Sequence, residues 1–180
     1  MHKVRSALTT IEQVAEFHEA MAHPISETIE LPDASTLKFR TEFIQEELKE
    51  LVDAVKEGDI VKMADGLGDI QYVLDGFFLN VGLHPYKEEI CTAIHESNMS
   101  KKARTEDEAL ESVRARQAEF PEYHVMHRRA PDGEGYVIFD DKSGKILKPV
   151  GYFKPKIKAI LELHTNIERH FVNYTDDVRD

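Results

Sequence analysis

The chain has 180 residues, of which 41% are hydrophobic, and its formal net charge at pH 7 is −11. This length and composition predict one domain, or one domain with an appendage, that can bury a core. The negative balance disfavours a nucleic-acid-binding surface, because phosphate backbones are bound by clustered positive charge.

The sequence also argues against export and membrane insertion. A single cysteine, Cys91, excludes an internal disulfide and a cysteine-based zinc site, as is typical of a reducing compartment. Asp75 and Asn80 interrupt the most apolar segment, so no run approaches the length of a membrane span. We therefore expect a cytoplasmic protein with neither a membrane nor a nucleic acid among its partners.

Three helices are predicted in the first half of the chain. Thr9 or Thr10 can cap the first, which Pro24 ends, and Asp33 or Ser35 can cap the second. The second and third are separated by a short break at 58–59, which makes them antiparallel neighbours. Apolar residues recur in both at helical spacing. They are Ile44, Leu48, Leu51 and Val55 in the second, and Ile60, Met63, Leu67, Ile70, Leu74, Phe77, Phe78 and Val81 in the third.

Carboxylates follow one side of each of these two helices. At about 100° per residue, Glu46, Glu50 and Asp53 share a side of the second helix, with Glu47 at the edge of its apolar stripe. Asp65 and Asp69 share a side of the third. Two rows of acids can then face one pocket, although a solvated face is the ordinary explanation for such runs.

The third helix argues against a solvated face. Its acidic side also carries Val61, Tyr72, Val73, Gly76 and Leu79. We therefore expect Asp65 and Asp69 to be half-buried, and buried carboxylates need a cation or protons to offset their desolvation. Clustered carboxylates without His or Cys suit a hard divalent ion such as Mg²⁺.

A fourth helix is predicted to start near Pro85 and to end in a polar, basic segment. Asn98, Lys101 and Lys102 supply hydrogen-bond donors there, in a chain otherwise poor in positive charge. One interpretation is capping, since lysines near the last turn complement the helix dipole. The other is contact with phosphate, because a metal ion and lysines together neutralise polyphosphate.

The rest of the chain predicts a weak helical pattern at 103–119, a β-hairpin and a last helix. Segments 136–140 and 145–148 flank the turn at 141–144, which is a hairpin signature. The last helix carries Ile157, Ile160, Leu161, His164, Ile167 and Phe171. Because no helix carries an H-x-x-x-H pair, His18, His95 and His164 are interpreted as structural or hydrogen-bonding residues.

These segments together resemble the MazG-like, all-α nucleoside triphosphate pyrophosphohydrolases, which include phosphoribosyl-ATP pyrophosphohydrolase-like and dUTPase-like members. The family pattern is an E-E-x-x-E helix, an E-x-x-D helix, and a downstream Asn and Lys. Residues 46–50 match the first part, 67–73 the second and 95–101 the third, and 147–152 resembles the tail of some members. The resemblance covers roughly Ile11 to Leu161.

One position departs from the family pattern. Where the E-x-x-D helix has Glu, this chain has Gly66, preceded by Asp65. Asp65 lies about one turn from Asp69, so it can replace the missing ligand. The alternative is that the site holds one metal less firmly. Gly66 lets a neighbouring helix or the substrate come close, and a Gly66→Glu change would restore the family arrangement unless close packing forbids it.

The resemblance implies hydrolysis of the α–β phosphoanhydride of a nucleoside triphosphate, with Mg²⁺ or Mn²⁺ activating water and neutralising charge. On the matching positions it implies metal ligands at Glu46, Glu47, Glu50, Asp65 and Asp69, with Glu46 and Glu47 catalytic. The implied substrate-binding residues are Asn98, Lys101, Lys102, Tyr72 and Arg40. For Tyr72 core packing is an equal alternative, and for Arg40 a surface ion pair is the ordinary one.

We therefore predict an all-α protein, with a MazG-like bundle of four to five helices and a small C-terminal β-hairpin appendage. Residues 1–130 would form the pyrophosphohydrolase domain, and residues 131–180 the hairpin and last helix packed on it. The resemblance implies a homodimer or homotetramer. The central helices agree with this, because Phe77, Phe78 and Leu79 cannot all face one core.

Three other functions stay open. Phosphoribosyl-ATP hydrolysis in histidine biosynthesis lies within the same family. A carboxylate-bridged di-iron bundle is disfavoured, because neither Glu47 nor Glu50 is followed by His at Glu-x-x-His spacing. A non-catalytic nucleotide-binding bundle fits if Gly66 has disabled the site. No residue in the sequence names the base.

Overall fold

The computed structural model describes residues 8–164, which form six α-helices, a 3₁₀ turn at His84–Tyr86 and four β-strands. The helices are α1 (Thr10–Ala20), α2 (Ala34–Glu57), α3 (Ile60–Asn80), α4 (Lys87–Met99), α5 (Glu106–Glu119) and α6 (Ile157–His164). The strands are β1 (Lys102–Ala103), β2 (Val125–Arg129), β3 (Tyr136–Asp140) and β4 (Ile146–Leu147). The chain divides into two compact units between Lys87 and Glu88. None of the described helices is long and apolar enough to cross a bilayer.

The first unit contains α1, α2 and α3, and α3 packs against both of the others. Local signals set the helix ends. Thr9 caps α1 in a reciprocal box with Glu12, Asp33 caps α2, and Asp59 caps α3. Gly58 ends α2 at a φ of 68°, a left-handed conformation that glycine adopts without steric cost. The three predicted helices are confirmed, as are the predicted caps of the first two.

The antiparallel pair of α2 and α3 comes closest at a glycine. Gly66 of α3 is buried, and a Cβ built on it would lie 3.3 Å from the Leu51 Cα of α2. That distance is short for a carbon–carbon contact, so the glycine permits the approach. The close packing suggested by the sequence at Gly66 is therefore present.

The second unit is built around a small antiparallel sheet with β3 in its centre. β2 pairs along one edge of β3, and β1 and β4 pair end to end along the other. One face of the sheet packs on α5. The core between them consists of Ala103, Ala109, Val125, Ile138 and Leu147.

This sheet corrects two expectations. β3 and β4 do pair across the predicted turn, but β1 and β2 enlarge the hairpin to four strands. The predicted domain boundary at 130/131 separates β2 from β3, which pair along five residues, so it falls inside the second unit. Ile167 and Phe171, expected on the last helix, lie outside the described residues.

Candidate functional site

A cavity of about 310 Å³ lies among the three helices of the first unit. Glu47 of α2 and Asp69 of α3 line one end, and Arg40 of α2 and Gly76 of α3 line the other. Arg40 and Glu47 are seven residues apart on one helix, so at 1.5 Å per residue the two ends are about 10 Å apart. The cavity is therefore anionic at one end and cationic at the other.

Glu47 is the centre of the anionic end. Burial, and then the negative charges of Asp69, Glu50, Glu46 and Asp65, raise the pKa of the Glu47 carboxyl above its ordinary value. The structure therefore brings the other four predicted ligands within electrostatic range of Glu47.

These five carboxylates differ from Asp53 of α2 in forming no ion pair, although Lys49 lies within electrostatic range of Glu50. Among the described residues, none of the five forms an ion pair or a side-chain hydrogen bond. Asp53, on the same helix, accepts hydrogen bonds from Lys56 at 2.8 Å and Lys49 at 2.9 Å, which lower its pKa to about 2. Asp53 therefore belongs to an ordinary surface ion-pair network, and the five carboxylates do not.

The burial of Asp65 and Asp69 corrects an expectation from the sequence. Both are exposed rather than half-buried, because only the later part of this side of α3, at Val73, Gly76 and Leu79, is covered. Near the two acids the helix is open, with Val61 74% exposed and Leu67, on the apolar stripe, 59% exposed. Within residues 8–164, no three Asp, Glu, His or Cys side chains are arranged as a metal-binding group. The five carboxylates thus stay predicted ligands, and their all-oxygen donor set is of the kind that Mg²⁺ takes.

Arg40 forms the cationic end, and it is not the surface ion pair that was the ordinary expectation. Its side chain is 6% exposed, because α3 packs beside α2 and the guanidinium is in contact with His18 of α1 and Asn80 of α3. Its Nε donates to Asn80 Oδ1, and its Nη2 donates to His18 Nε2 at 3.1 Å. Burial lowers the pKa of the guanidinium, and no carboxylate among the described residues pairs with it.

His18 is held in one tautomer by its two partners. Its Nδ1 lies 3.1 Å from the Pro24 carbonyl, which can only accept, so Nδ1 carries the proton and Nε2 accepts from Arg40. Burial is the main cause of a lowered pKa at His18. Asn80 Nδ2 donates to the same carbonyl at 2.7 Å. The hydrogen-bonding role expected of His18 is confirmed.

Aromatic side chains line the cavity between its charged ends. Tyr72 is 38% exposed and meets Phe17 edge-on at 5.8 Å, so it borders the cavity instead of filling the core. Phe39 and Phe43 are stacked at 5.3 Å on α2. Sequence reasoning did not place these two rings or His18 at the cavity. The available signal was that Phe43 lies three residues after Arg40 and four before Glu47, with Phe39 four residues before Phe43.

The three remaining predicted residues lie in the second unit. Lys101 Nζ donates to Asn98 Oδ1 at 2.9 Å, at the end of α4. Lys102, in β1, forms an ion pair with Asp132 at 2.7 Å. Asn98 and Lys101 are thus paired with each other, and Lys102 is engaged with a loop carboxylate.

The comparison with protein families agrees with the architecture of this site. A family model described as phosphoribosyl-ATP pyrophosphohydrolase matches residues 14–98, which contain every predicted site residue except Lys101 and Lys102. This segment matches the model of that family, which lies in the MazG-like all-α superfamily, and the resemblance read from the sequence is confirmed. The match indicates pyrophosphohydrolase-type activity on a nucleotide phosphoanhydride.

The chain is also similar to an uncharacterized protein, L479, of Acanthamoeba polyphaga mimivirus. The two are 24% identical over 241 aligned positions, which cover 86% of this chain and 96% of the relative. The similarity therefore extends beyond the helical segment that matches the family model.

Proposed function

We propose that the protein is a metal-dependent pyrophosphohydrolase that cleaves the α–β phosphoanhydride of a (deoxy)nucleoside triphosphate, giving the monophosphate and pyrophosphate. One observation carries the proposal: five carboxylates without a cation partner among the described residues surround one end of an aromatic cavity. Acids left unpaired at a cavity suit a bound cation, and a cation suits a polyphosphate. The family match supports the same class of reaction.

Glu47, Glu50 and Asp69 would hold Mg²⁺ or Mn²⁺, with Asp65 in place of the carboxylate that Gly66 lacks. When bound, the metal supplies charge neutralisation for the phosphates and a lowered pKa for coordinated water. Glu46 orients the attacking water. Glu46 would also accept the proton of that water as general base, because Glu47 would be held by the metal, whose positive charge opposes its protonation.

The aromatic part of the cavity would hold the nucleoside. Its volume of about 310 Å³ lies at the lower end of the range for small-molecule sites. Tyr72 and Phe17, which meet edge-on, each offer an aromatic ring against which a base can pack. Asn98, Lys101 and Lys102 are proposed as phosphate-binding residues on the motif resemblance alone.

A second copy of the chain would complete the helical bundle. Ile60, Val61 and Leu67 of α3 are 71%, 74% and 59% exposed, and Leu48 and Val55 of α2 are more than half exposed. Apolar faces of this kind on two neighbouring helices mark an association surface. Sedimentation equilibrium at micromolar concentration should give a dimer or tetramer, and the mass of a single 20.6 kDa chain would contradict this part of the proposal.

The test is a panel of canonical and modified NTPs and dNTPs, together with phosphoribosyl-ATP, in Mg²⁺ or Mn²⁺, with pyrophosphate as the readout. Metal-dependent release from nucleoside triphosphates supports the proposal. Turnover confined to phosphoribosyl-ATP would replace it with the histidine-pathway reaction. Nucleotide binding without any turnover would leave a non-catalytic binding protein.

Two variants on α2 make the test specific to the site. Glu47→Gln removes the carboxylate at the centre of the cluster and should abolish turnover. Asp53→Asn removes a carboxylate that two lysines pair on the same helix, and it should keep turnover. Equal activity in the two variants would show that the cluster does not perform the reaction.

A further inference from the structure

The cationic end of the cavity contains a buried charge that only neutral groups solvate. Arg40 is 6% exposed, and its partners Asn80 and His18 are both uncharged, the latter because its Nε2 accepts from Nη2 and therefore carries no proton. A buried guanidinium without a carboxylate leaves part of its desolvation uncompensated. A ligand group that accepts hydrogen bonds from the guanidinium would offset the remaining cost of its desolvation.

The free part of the guanidinium is its Nη1 edge. Nε is occupied by Asn80 and Nη2 donates to His18, whereas Nη1 makes no hydrogen bond with a described residue. Nη1 lies beside Gly76, where a Cβ would come within 2.7 Å of it, so the glycine keeps this edge uncovered. Arg40 and Gly76 both line the cavity.

This edge can only donate. A guanidinium has no acceptor and does not lose its proton in proteins, and the His18 nitrogen beside it already accepts from Nη2. The edge lies about 10 Å along α2 from Glu47, beyond aromatic walls. A phosphate bound at the acidic end therefore places the base, and not a second phosphate, against Arg40.

We infer that Arg40 makes the cavity select bases with an oxo group at their inner edge, such as uracil, thymine, hypoxanthine and guanine, over their amino counterparts. The inference rests on the proposed function. An oxo group accepts a hydrogen bond from Nη1. The amino group of cytosine or adenine is itself a hydrogen-bond donor, so it cannot pair with Nη1. The amino base would thus leave the guanidinium unpaired and add repulsion.

The test compares substrates that differ in this group and in the protonation of the adjacent ring nitrogen: dUTP against dCTP, and dITP against dATP. In Mg²⁺, kcat/KM should favour the oxo member by about 10- to 100-fold in each ring size that the cavity accepts. A ratio near one, or a preference for the amino member, overturns the inference. Pyrophosphate release from any of the four would still uphold the proposed function, so the two failures are distinguishable.

Three variants separate base selection from a structural role. Arg40→Gln offers both a donor and an acceptor and should bring the ratio close to one, whereas Arg40→Lys should keep a preference for the oxo base. Lys38→Gln, an exposed position on the same helix with a side chain 73% exposed, should leave the ratio unchanged. A uniform loss on all four substrates in Arg40→Gln, with the ratio retained, would mean that Arg40 acts on phosphate or on folding alone, and it overturns the inference.

Two measurements keep the inference testable if a step fails. If Arg40→Gln does not fold, as judged by circular dichroism, the wild-type ratios decide alone. If wild type shows no turnover, equilibrium binding of the same four nucleotides in Mg²⁺ gives the ratio as Kd values. Equal Kd values, or no binding of any nucleotide, overturn the inference.

Discussion

Replacing Gly66 by alanine tests how α2 and α3 are packed beneath the acidic cluster. The added Cβ would lie 3.3 Å from both the Cα and the Cβ of Leu51, and 3.4 Å from its backbone nitrogen. Leu51 lies in the middle of α2, and its backbone cannot move away without moving the helix. We therefore expect Gly66→Ala to push the two helices apart at this point.

The magnitude follows from two opposing effects. Overpacking of a well-packed contact costs about 1–3 kcal/mol. Alanine in a helix interior gains about 1 kcal/mol over glycine. Gly66→Ala should therefore be destabilised by about 0–2 kcal/mol, the difference of those two ranges. Gly68 is the matched control on the same helix, because a Cβ there meets nothing within 4 Å. Gly68→Ala should thus gain about 0.5–1 kcal/mol.

Thermal unfolding followed by circular dichroism measures the difference between the two variants. About 1 kcal/mol shifts the melting temperature of a chain of this length by roughly 2–4 °C, so Gly66→Ala should melt at least ~2 °C below Gly68→Ala. If Gly66→Ala and Gly68→Ala raise the melting temperature equally, α2 can move away at Leu51 without cost, and the packing argument is wrong.

The same contact decides whether glutamate at position 66 restores the family pattern. Gly66→Glu adds a larger side chain and a carboxylate to a buried position against Leu51. Burial of that charge without a partner adds a desolvation cost to the overpacking. We therefore expect it to melt below Gly66→Ala and to lose activity. If the Gly66→Glu protein has the melting temperature of wild type and reaches half-maximal activity at a lower Mg²⁺ concentration, then the helices accommodate the side chain and its carboxylate binds the metal.

Three further predictions concern the carboxylates. Glu50→Gln should abolish turnover without unfolding the protein. In the absence of metal the variant should be more stable than wild type, because the substitution removes a negative charge that repels Glu47. Activity near that of wild type would show that Glu50 is not a metal ligand. Asp65→Ala should raise the Mg²⁺ concentration for half-maximal activity, whereas a titration that overlays wild type would favour a site without Asp65. Saturating Mg²⁺ or Mn²⁺ together with nucleotide should raise the melting temperature. A ligand at a concentration 100 times its Kd increases the free energy of unfolding by about 2.7 kcal/mol. An unmoved melting curve would indicate a solvated acidic face.

The helical unit was predictable because its signals are local. Thr9, Asp33 and Asp59 cap the helices that the apolar spacing predicts, and Gly58 ends α2. The sheet was only half predictable for the opposite reason. β1 is two residues long and exists by pairing with β3, more than 30 residues later, so no local pattern indicates it.

The acidic residues of the site could be predicted from the sequence, whereas the burial of Arg40 could not. Glu46, Glu47 and Glu50 repeat along one helix, and that repeat survives in the structure as charges around Glu47. Arg40 precedes them without any pattern that marks it, and its burial depends on α3 and on His18 of α1, which are distant in the sequence. Apolar companions also misled the prediction for Asp65 and Asp69. Val61 and Leu67 are exposed in this chain. An apolar pattern therefore indicates that a surface becomes buried, but it does not tell whether the same chain or a second chain buries it.

The raised pKa of Glu47 gives a stability profile whose sign can be checked. Its folded pKa lies above the ordinary value of 4.5, so the folded state holds the proton more tightly than the unfolded chain. Below 4.5 both states are protonated, whereas stability is lost as pH rises through the folded pKa. Metal-free wild type should therefore match Glu47→Gln near pH 4 and melt below it near pH 7. Mg²⁺ should reduce this gap, because the ion offsets the same repulsion. A gap that is largest in acid would mean that Glu47 is stabilised by ionisation, contrary to a carboxylate held among unpaired acids.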